Sequence, residues 1–178
     1  MLERMTMPNT MRANFESYLQ QCCPDYTPGF AFQLNLHDWQ ILRIQGQDSQ
    51  AFLQGQLTCD MAQFSPGRSR FAAACDTKGR IYSFFYILQR NANDYLLCLP
   101  KAIAETTLAE LKRYVLRSQV HLELPNDHSL FLIYGDEAVH MNTDGAFNQF
   151  QSIHSNNLLA RLHQELPLFL NVCTNAQL

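Results

Sequence analysis

The chain has 178 residues, 47% of them hydrophobic, enough to bury a real core in one domain or slightly more. Only 16% are charged, below the roughly 25% of ordinary globular chains, so disorder is not the default reading. A net charge of −3 supplies no dominant basic field for nucleic acid, although a local patch stays open, and no apolar run nears the roughly 20 residues of a membrane span.

Residues 1–30 read as a leader, with a short helix around Asn14 to Gln21 and no chemistry of its own. Phe32 to Ile44 reads as one extended run, with Ile41, Leu42 and Ile44 as strand formers, ending at Gly46. Asp48 or Ser49 then caps a helix whose apolar side is Ala51, Phe52, Leu53 and Leu57. Arg70 to Cys75 is a strand, and Asp76-Thr77-Lys78-Gly79 has the Asp-first, Gly-fourth preference of a type I turn. Ile81 to Leu88 is expected to be a long, aromatic-rich strand buried on both sides or nearly so, and Tyr95 to Leu99 follows it in a meander of hairpins. After Pro100, Ala104, Leu108, Leu111 and Val115 mark one face of a helix. Gln119 to Leu124 alternates as a half-exposed strand, and Leu130 to Tyr134 is another. Beyond Gly135, Asp136 to His140 reads as a helix start and Asn156 to Leu166 as a helix through Leu158, Leu159, Leu162 and Leu166.

The order strand, helix, three strands, helix, strand predicts an α+β fold. It has a mostly antiparallel sheet with helices packed on one face, close to a ferredoxin-like split unit with one extra strand. The expected divisions are a leader over 1–30, a first domain over 31–135 and a partial second segment over 136–178.

The chemistry-bearing motifs are sparse. The six cysteines form no CxxC pair and no metal-ligand spacing, so they read as reduced thiols of a cytoplasmic protein, with Cys59, Cys75 and Cys98 in or near the core. No nucleophile motif, phosphate-cradling glycine loop or paired catalytic carboxylate is evident, so no catalytic residue and no metal ligand is assigned. Gly55 inside a helix costs about 1 kcal/mol against alanine, which suggests close approach of another backbone or of a ligand. Trp39 is the only tryptophan; a lone Trp is more often core than site. It stands at the mouth of a predicted strand beside His37 and Asp38, where its plane could stack on a flat heterocycle.

Three segments together resemble the YgfZ family of folate-binding proteins, relatives of the glycine-cleavage aminomethyltransferases. They are Asp38-Trp39 with Phe52-Leu53-Gln54-Gly55-Gln56-Leu57-Thr58-Cys59-Asp60, then Ala74-Cys75-Asp76-Thr77-Lys78-Gly79-Arg80, then the run from Leu111 to Val120. The resemblance covers Trp39 to Leu124 and points to an N-terminal folate-binding domain. It implies tetrahydrofolate or another reduced folate as cofactor, Trp39 as a folate contact, and a non-enzymatic role assisting iron–sulfur enzymes that modify tRNA. The charge balance leads to an expectation of no direct nucleic-acid binding.

Two departures accompany it. The aminomethyltransferases carry an Asp-Asp pair where this chain has Ser83 and Phe84, and neither residue can do a carboxylate's work. The family's Lys-Gly-Cys-Tyr-x-Gly-Gln-Glu segment is absent, as is the C-terminal domain expected to carry it, so a truncated or N-terminal portion is expected. Two alternatives stand beside the folate reading: an aminomethyltransferase-like folate-dependent transferase, and a non-catalytic interaction domain dimerising through an uncapped apolar face.

Overall fold

The computed structural model describes residues 9–23, 25–27, 32–135, 150–153, 157–162 and 168–174. A helix α1 (Asn9–Cys22) leads into β1 (Phe32–Asn35), β2 (Trp39–Gln45) and α2 (Ser49–Gln56). After a 3₁₀ turn at Met61–Gln63 come β3 (Ser69–Cys75), β4 (Ile81–Asn91), β5 (Asp94–Pro100) and α3 (Lys101–Lys112). The remaining strands are β6 (His121–Glu123), β7 (His128–Tyr134), β8 (Phe150–Ile153), β9 (Asn157–Arg161) and β10 (Leu168–Thr174).

The strands form two antiparallel sheets, ordered β3-β4-β5-β2-β6 and β1-β7-β10-β9-β8. In the first sheet, β6-β2-β5-β4 has the order of a ferredoxin-like split unit, and β3 is the extra strand on its edge. The α+β expectation is therefore met. One face of this sheet carries Leu42, Ile44, Phe85, Ile87, Leu97 and Leu99, and it is covered by Phe52 and Leu53 of α2 and Ala104 and Leu111 of α3. The other face carries Ile41, Tyr86, Leu88, Leu96 and Cys98, which pack on Leu130, Ala160, Leu170 and Val172 of the second sheet. The layers thus run helices, sheet, sheet. Tyr86 joins the two sheets, with its hydroxyl 2.9 Å from Ser69 Oγ and 3.3 Å from the carbonyl of Arg161. Burial pushes that phenol up to about 12.

Several expectations need correction. The run from Phe32 to Ile44 is two strands in two different sheets, because Leu36 to Trp39 forms a turn closed by Trp39 N–H on the Leu36 carbonyl at 2.9 Å. Ile81 to Leu88 is not buried throughout: Ile81 is 65% and Phe84 51% exposed, and only the stretch from Phe85 to Gln89 is covered on both sides. Asp48 occupies the N-cap position of α2 without capping it; its Oδ2 accepts from Gln119 N–H at 2.7 Å instead. The Asn156 to Leu166 helix is also overturned, since Asn157–Arg161 is a strand hydrogen-bonded between β10 and β8. The helix start expected at Asp136 to His140 lies outside the described residues.

Gly55 has no close neighbour either. A Cβ built there meets nothing within 4 Å among the described residues, so neither their backbone nor tight packing against them requires glycine. Gly55→Ala is accordingly expected to raise stability by about 0.5–1 kcal/mol, read as a higher urea midpoint at unchanged slope.

The cysteines are all free, and they differ sharply in access. Cys98 is fully buried and its thiol is pushed up by desolvation, whereas Cys22 is exposed. Iodoacetamide should alkylate Cys22 in the native chain and leave Cys98 unmodified until global unfolding. Equal rates at the two positions in native buffer would contradict this packing.

Candidate functional site

The first residue of β2 is Trp39, paired across the sheet with Pro100. Its position is fixed from both sides. The turn before it is closed by its own N–H, and the Asp38 carbonyl accepts from Lys101 N–H at 2.7 Å, tying the turn to the start of α3. The ring is half-buried and packs at the margin of the inter-sheet core, as do Leu36, Leu158 and Leu162. His37 Nε2 and Asp38 Oδ2 sit 3.2 Å apart, but both side chains are solvated, so this pair contributes little.

Strand register shows what shares the face of Trp39. Ile41 lies opposite Cys98, Cys98 opposite Tyr86, and Tyr86 opposite Phe71. Since side chains alternate along a strand, residues two positions away lie on the same face. The pairs Trp39–Pro100 and Phe84–Ala73 therefore lie on that same face, beyond the point where the β4–β5 pairing ends at Tyr86–Cys98. The second sheet covers the Ile41–Cys98–Tyr86 row, while Phe84 and Phe71 stay 51% and 61% exposed. Phe71 meets the Tyr86 ring edge-on at 4.9 Å between centroids. The result is an open, aromatic platform at one end of the sheet, with Trp39 on one side and Phe84 and Phe71 on the other.

A β-bulge shapes the platform's far margin. Ala74 pairs with Ser83 and Cys75 with Ile81, so Tyr82 is the extra residue and turns to the helix side. Ser83 also faces the helices. It is buried, with its hydroxyl 2.8 Å from that of Thr107 on α3. Of Ser83 and Phe84, only Phe84 reaches the open face. The hairpin tip beyond is held by Asp76, whose carboxylate accepts from Lys78 N–H, Arg80 N–H and the Arg80 guanidinium at 2.7–2.9 Å. These hydrogen bonds hold the Asp76 carboxyl below its ordinary range.

The sequence singles out Trp39 as a candidate but not its relation to Phe71, Phe84 and Pro100, because that relation is a register across four strands. Among the described residues, no group of three His, Cys, Asp or Glu could hold a metal ion, and no helix is long and apolar enough to cross a membrane.

No family model matches the chain. The tRNA-modifying protein YgfZ of Aliivibrio fischeri (strain MJ11) is 33% identical over 127 residues, which is 70% of this chain and 39% of that protein. The protein of the same name from Vibrio atlanticus (strain LGP32) is 36% identical over 93 residues, 52% of this chain and 28% of its own. The one from Escherichia coli O157:H7 (strain EC4115 / EHEC) is 32% identical over 105 residues, 59% of this chain and 32% of its own. The chain thus spans about two fifths or less of these relatives' length. Among solved structures, the glycine cleavage system aminomethyltransferase T from Bartonella henselae superposes with a TM-score of 0.73 at 14% identity, over 83% of this chain and 43% of that one. A chain of the heterotetrameric sarcosine oxidase from Corynebacterium sp. U-96 gives 0.59 at 11% identity, over 90% and 85%. At such identities the two structures speak for the fold alone. By sequence the chain resembles the tRNA-modifying proteins YgfZ over part of their length, and it carries that resemblance on the fold of an aminomethyltransferase.

Proposed function

We propose that this chain supplies one wall of a reduced-folate site, with Trp39 as its aromatic contact. The observation that carries the reading is the shared open face of Trp39 and Phe84, which offers flat apolar surface to a flat heterocycle. In this reading residues 31–135 are the folate-facing unit, and 136–178 belong to a further segment. The YgfZ relatives are named for tRNA modification, and we extend that role to this chain as a folate-binding helper of iron–sulfur-dependent tRNA-modifying enzymes in the cytoplasm. The helper role, rather than transfer chemistry, follows from Ser83 and Phe84. The first spends its hydroxyl on Thr107, and the second has no proton to move.

The single tryptophan makes the test direct. Tetrahydrofolate should change Trp39 emission saturably, with matching heat by calorimetry. Phe84→Ala should weaken the affinity roughly tenfold, or about 1.4 kcal/mol. Unchanged emission together with no heat at saturating tetrahydrofolate would end the folate reading for this chain. The exposed Phe71, Ile81 and Phe84 favour a second reading, self-association through this face. Light scattering separates the two, because a dimer disrupted by Phe71→Ser and indifferent to folate supports the second.

A further inference from the structure

At the N-terminal end of β3, next to Phe71, a small polar recess of about 270 Å³ is lined by Gln63, Phe64, Arg68, Ser69 and Arg70. Arg70 is held there by its ring partner: its guanidinium carbon lies 5.5 Å from the centroid of Phe64, which is itself buried. The charge at this recess is not neutralised by any described residue. Among the described residues, Arg43, Arg80, Arg90 and Arg113 each have a carboxylate within 4.0 Å, whereas Arg68 and Arg70 have none. Asp60, the carboxylate on the adjoining turn, is taken up by the Ala62 amide and the Gln63 side chain at 3.0 Å each. A chain with net charge −3 therefore keeps two uncompensated guanidinium groups at one recess.

The backbone adds donors. Strand β3 is the edge of its sheet, and Ala73 turns away from β4: its carbonyl accepts from Thr58 N–H and its N–H donates to Thr58 Oγ1. Alternation along an antiparallel ladder puts the N–H groups of Phe71 and Ser69 on that same outer edge. The inward carbonyl of Arg68, which accepts from Gln89 N–H, agrees with this phase. Ser69's hydroxyl is engaged by Tyr86 on the inter-sheet side, so what Ser69 offers the recess is its main chain. Forked guanidinium donors beside edge amides suit a tetrahedral oxyanion, and the volume falls below the roughly 300 Å³ at which sites for organic ligands begin.

We propose that Arg68, Arg70 and the outer main-chain edge of β3 form a binding site for a phosphate group, distinct from the aromatic face that Phe71 and Phe84 present. That phosphate is either a free ion or one unit of a polynucleotide backbone, and the chemistry that recognises it is the same. The site does not depend on folate binding, so a failed folate titration leaves it standing.

The test uses the full 178-residue chain. Inorganic phosphate is titrated while the Ser69 and Phe71 amides and the Arg68 and Arg70 Nε–H groups are followed by NMR, with chloride at matched ionic strength as control. Saturable shifts at these groups with phosphate alone are expected. Arg68→Gln and Arg70→Gln should each weaken binding roughly tenfold, and Arg70→Lys, which keeps the charge but loses the fork, should weaken it as well. Thermal melts of the variants establish that they fold. The absence of a saturable shift, the same shift with chloride, or wild-type affinity in the folded double variant would overturn the proposal. A short mixed-sequence oligoribonucleotide then assigns the source. Displacement of phosphate, with affinity falling steeply as salt rises, identifies a polynucleotide backbone; failure to displace it identifies the free ion.

Discussion

Gly46→Ala should be among the most damaging single substitutions in this chain, costing roughly 3–5 kcal/mol. Gly46 ends β2 at φ +135°, a conformation that L side chains rarely adopt. An added Cβ would also lie 2.0 Å from the Gln119 carbonyl oxygen and 2.9 Å from Val120 Cα. Those neighbours are backbone and cannot swing aside. Gln119 is fixed by its N–H on Asp48 Oδ2, and the strand it leads into pairs with β2. Gly46 is bonded on both sides as well: its N–H donates to the Asn93 carbonyl, and its own carbonyl accepts from the Ser49 amide and hydroxyl. The substitution therefore strains β2, the start of α2, the β4–β5 turn and the entry to β6 together. Urea unfolding should show a large drop in midpoint, opposite in sign to Gly55→Ala. A loss under about 1 kcal/mol would mean that the Gln119 segment moves freely, contrary to this geometry.

The contrast between the two glycines shows what the sequence could reveal. Gly55 looked unusual because it interrupts a helix, a local fact, yet its surroundings are open. Gly46 looked like an ordinary strand end, and the contact that demands glycine comes from a segment 73 residues further along the chain. The same distinction separates the elements. The meander of β3, β4 and β5 and the helices α2 and α3 were legible because turn chemistry and periodicity are local. Strand β9 was not, because Leu158 packs toward the first sheet while Leu159 is buried on the opposite side with Ile133 and Phe169. A strand apolar on both faces has no alternation, and its leucines can be read as a helical stripe. The outward-facing Phe84 misled in the other direction, since an exposed aromatic imitates burial in a sequence. Trp39 was visible as a candidate from its place before a strand. Its alignment with Phe84 needed the pairing of β2, β5, β4 and β3, and the recess at Arg68 and Arg70 has no local signature at all.

Asp94→Ala should cost about 2–3 kcal/mol, a large effect for one polar side chain. Asp94 is only 7% exposed and answers two cations. Arg43 holds it bidentately, Nε to Oδ1 at 3.1 Å and Nη2 to Oδ2 at 2.9 Å, and Arg90 Nη1 lies 3.4 Å from Oδ2. That contact is chiefly what raises the Arg43 guanidinium above its usual value. Removing the carboxylate leaves Arg43, 25% exposed, with Glu123 at 4.0 Å as its remaining anion. The cost stays below that of a fully buried pair because Arg43 keeps some access to water. The pair bridges directly neighbouring strands, with Arg43 on β2 and Asp94 at the start of β5, so it also fixes the register that places Trp39 opposite Pro100. A double-mutant cycle isolates the coupling. Arg43→Ala with Asp94→Ala together should cost about 1–2 kcal/mol less than the sum of the single changes, because with Arg43 gone the loss of Asp94 strands only the more exposed Arg90. Strict additivity would show instead that Asp94 acts through its backbone turn and that the ion pair contributes nothing to holding the two strands in register.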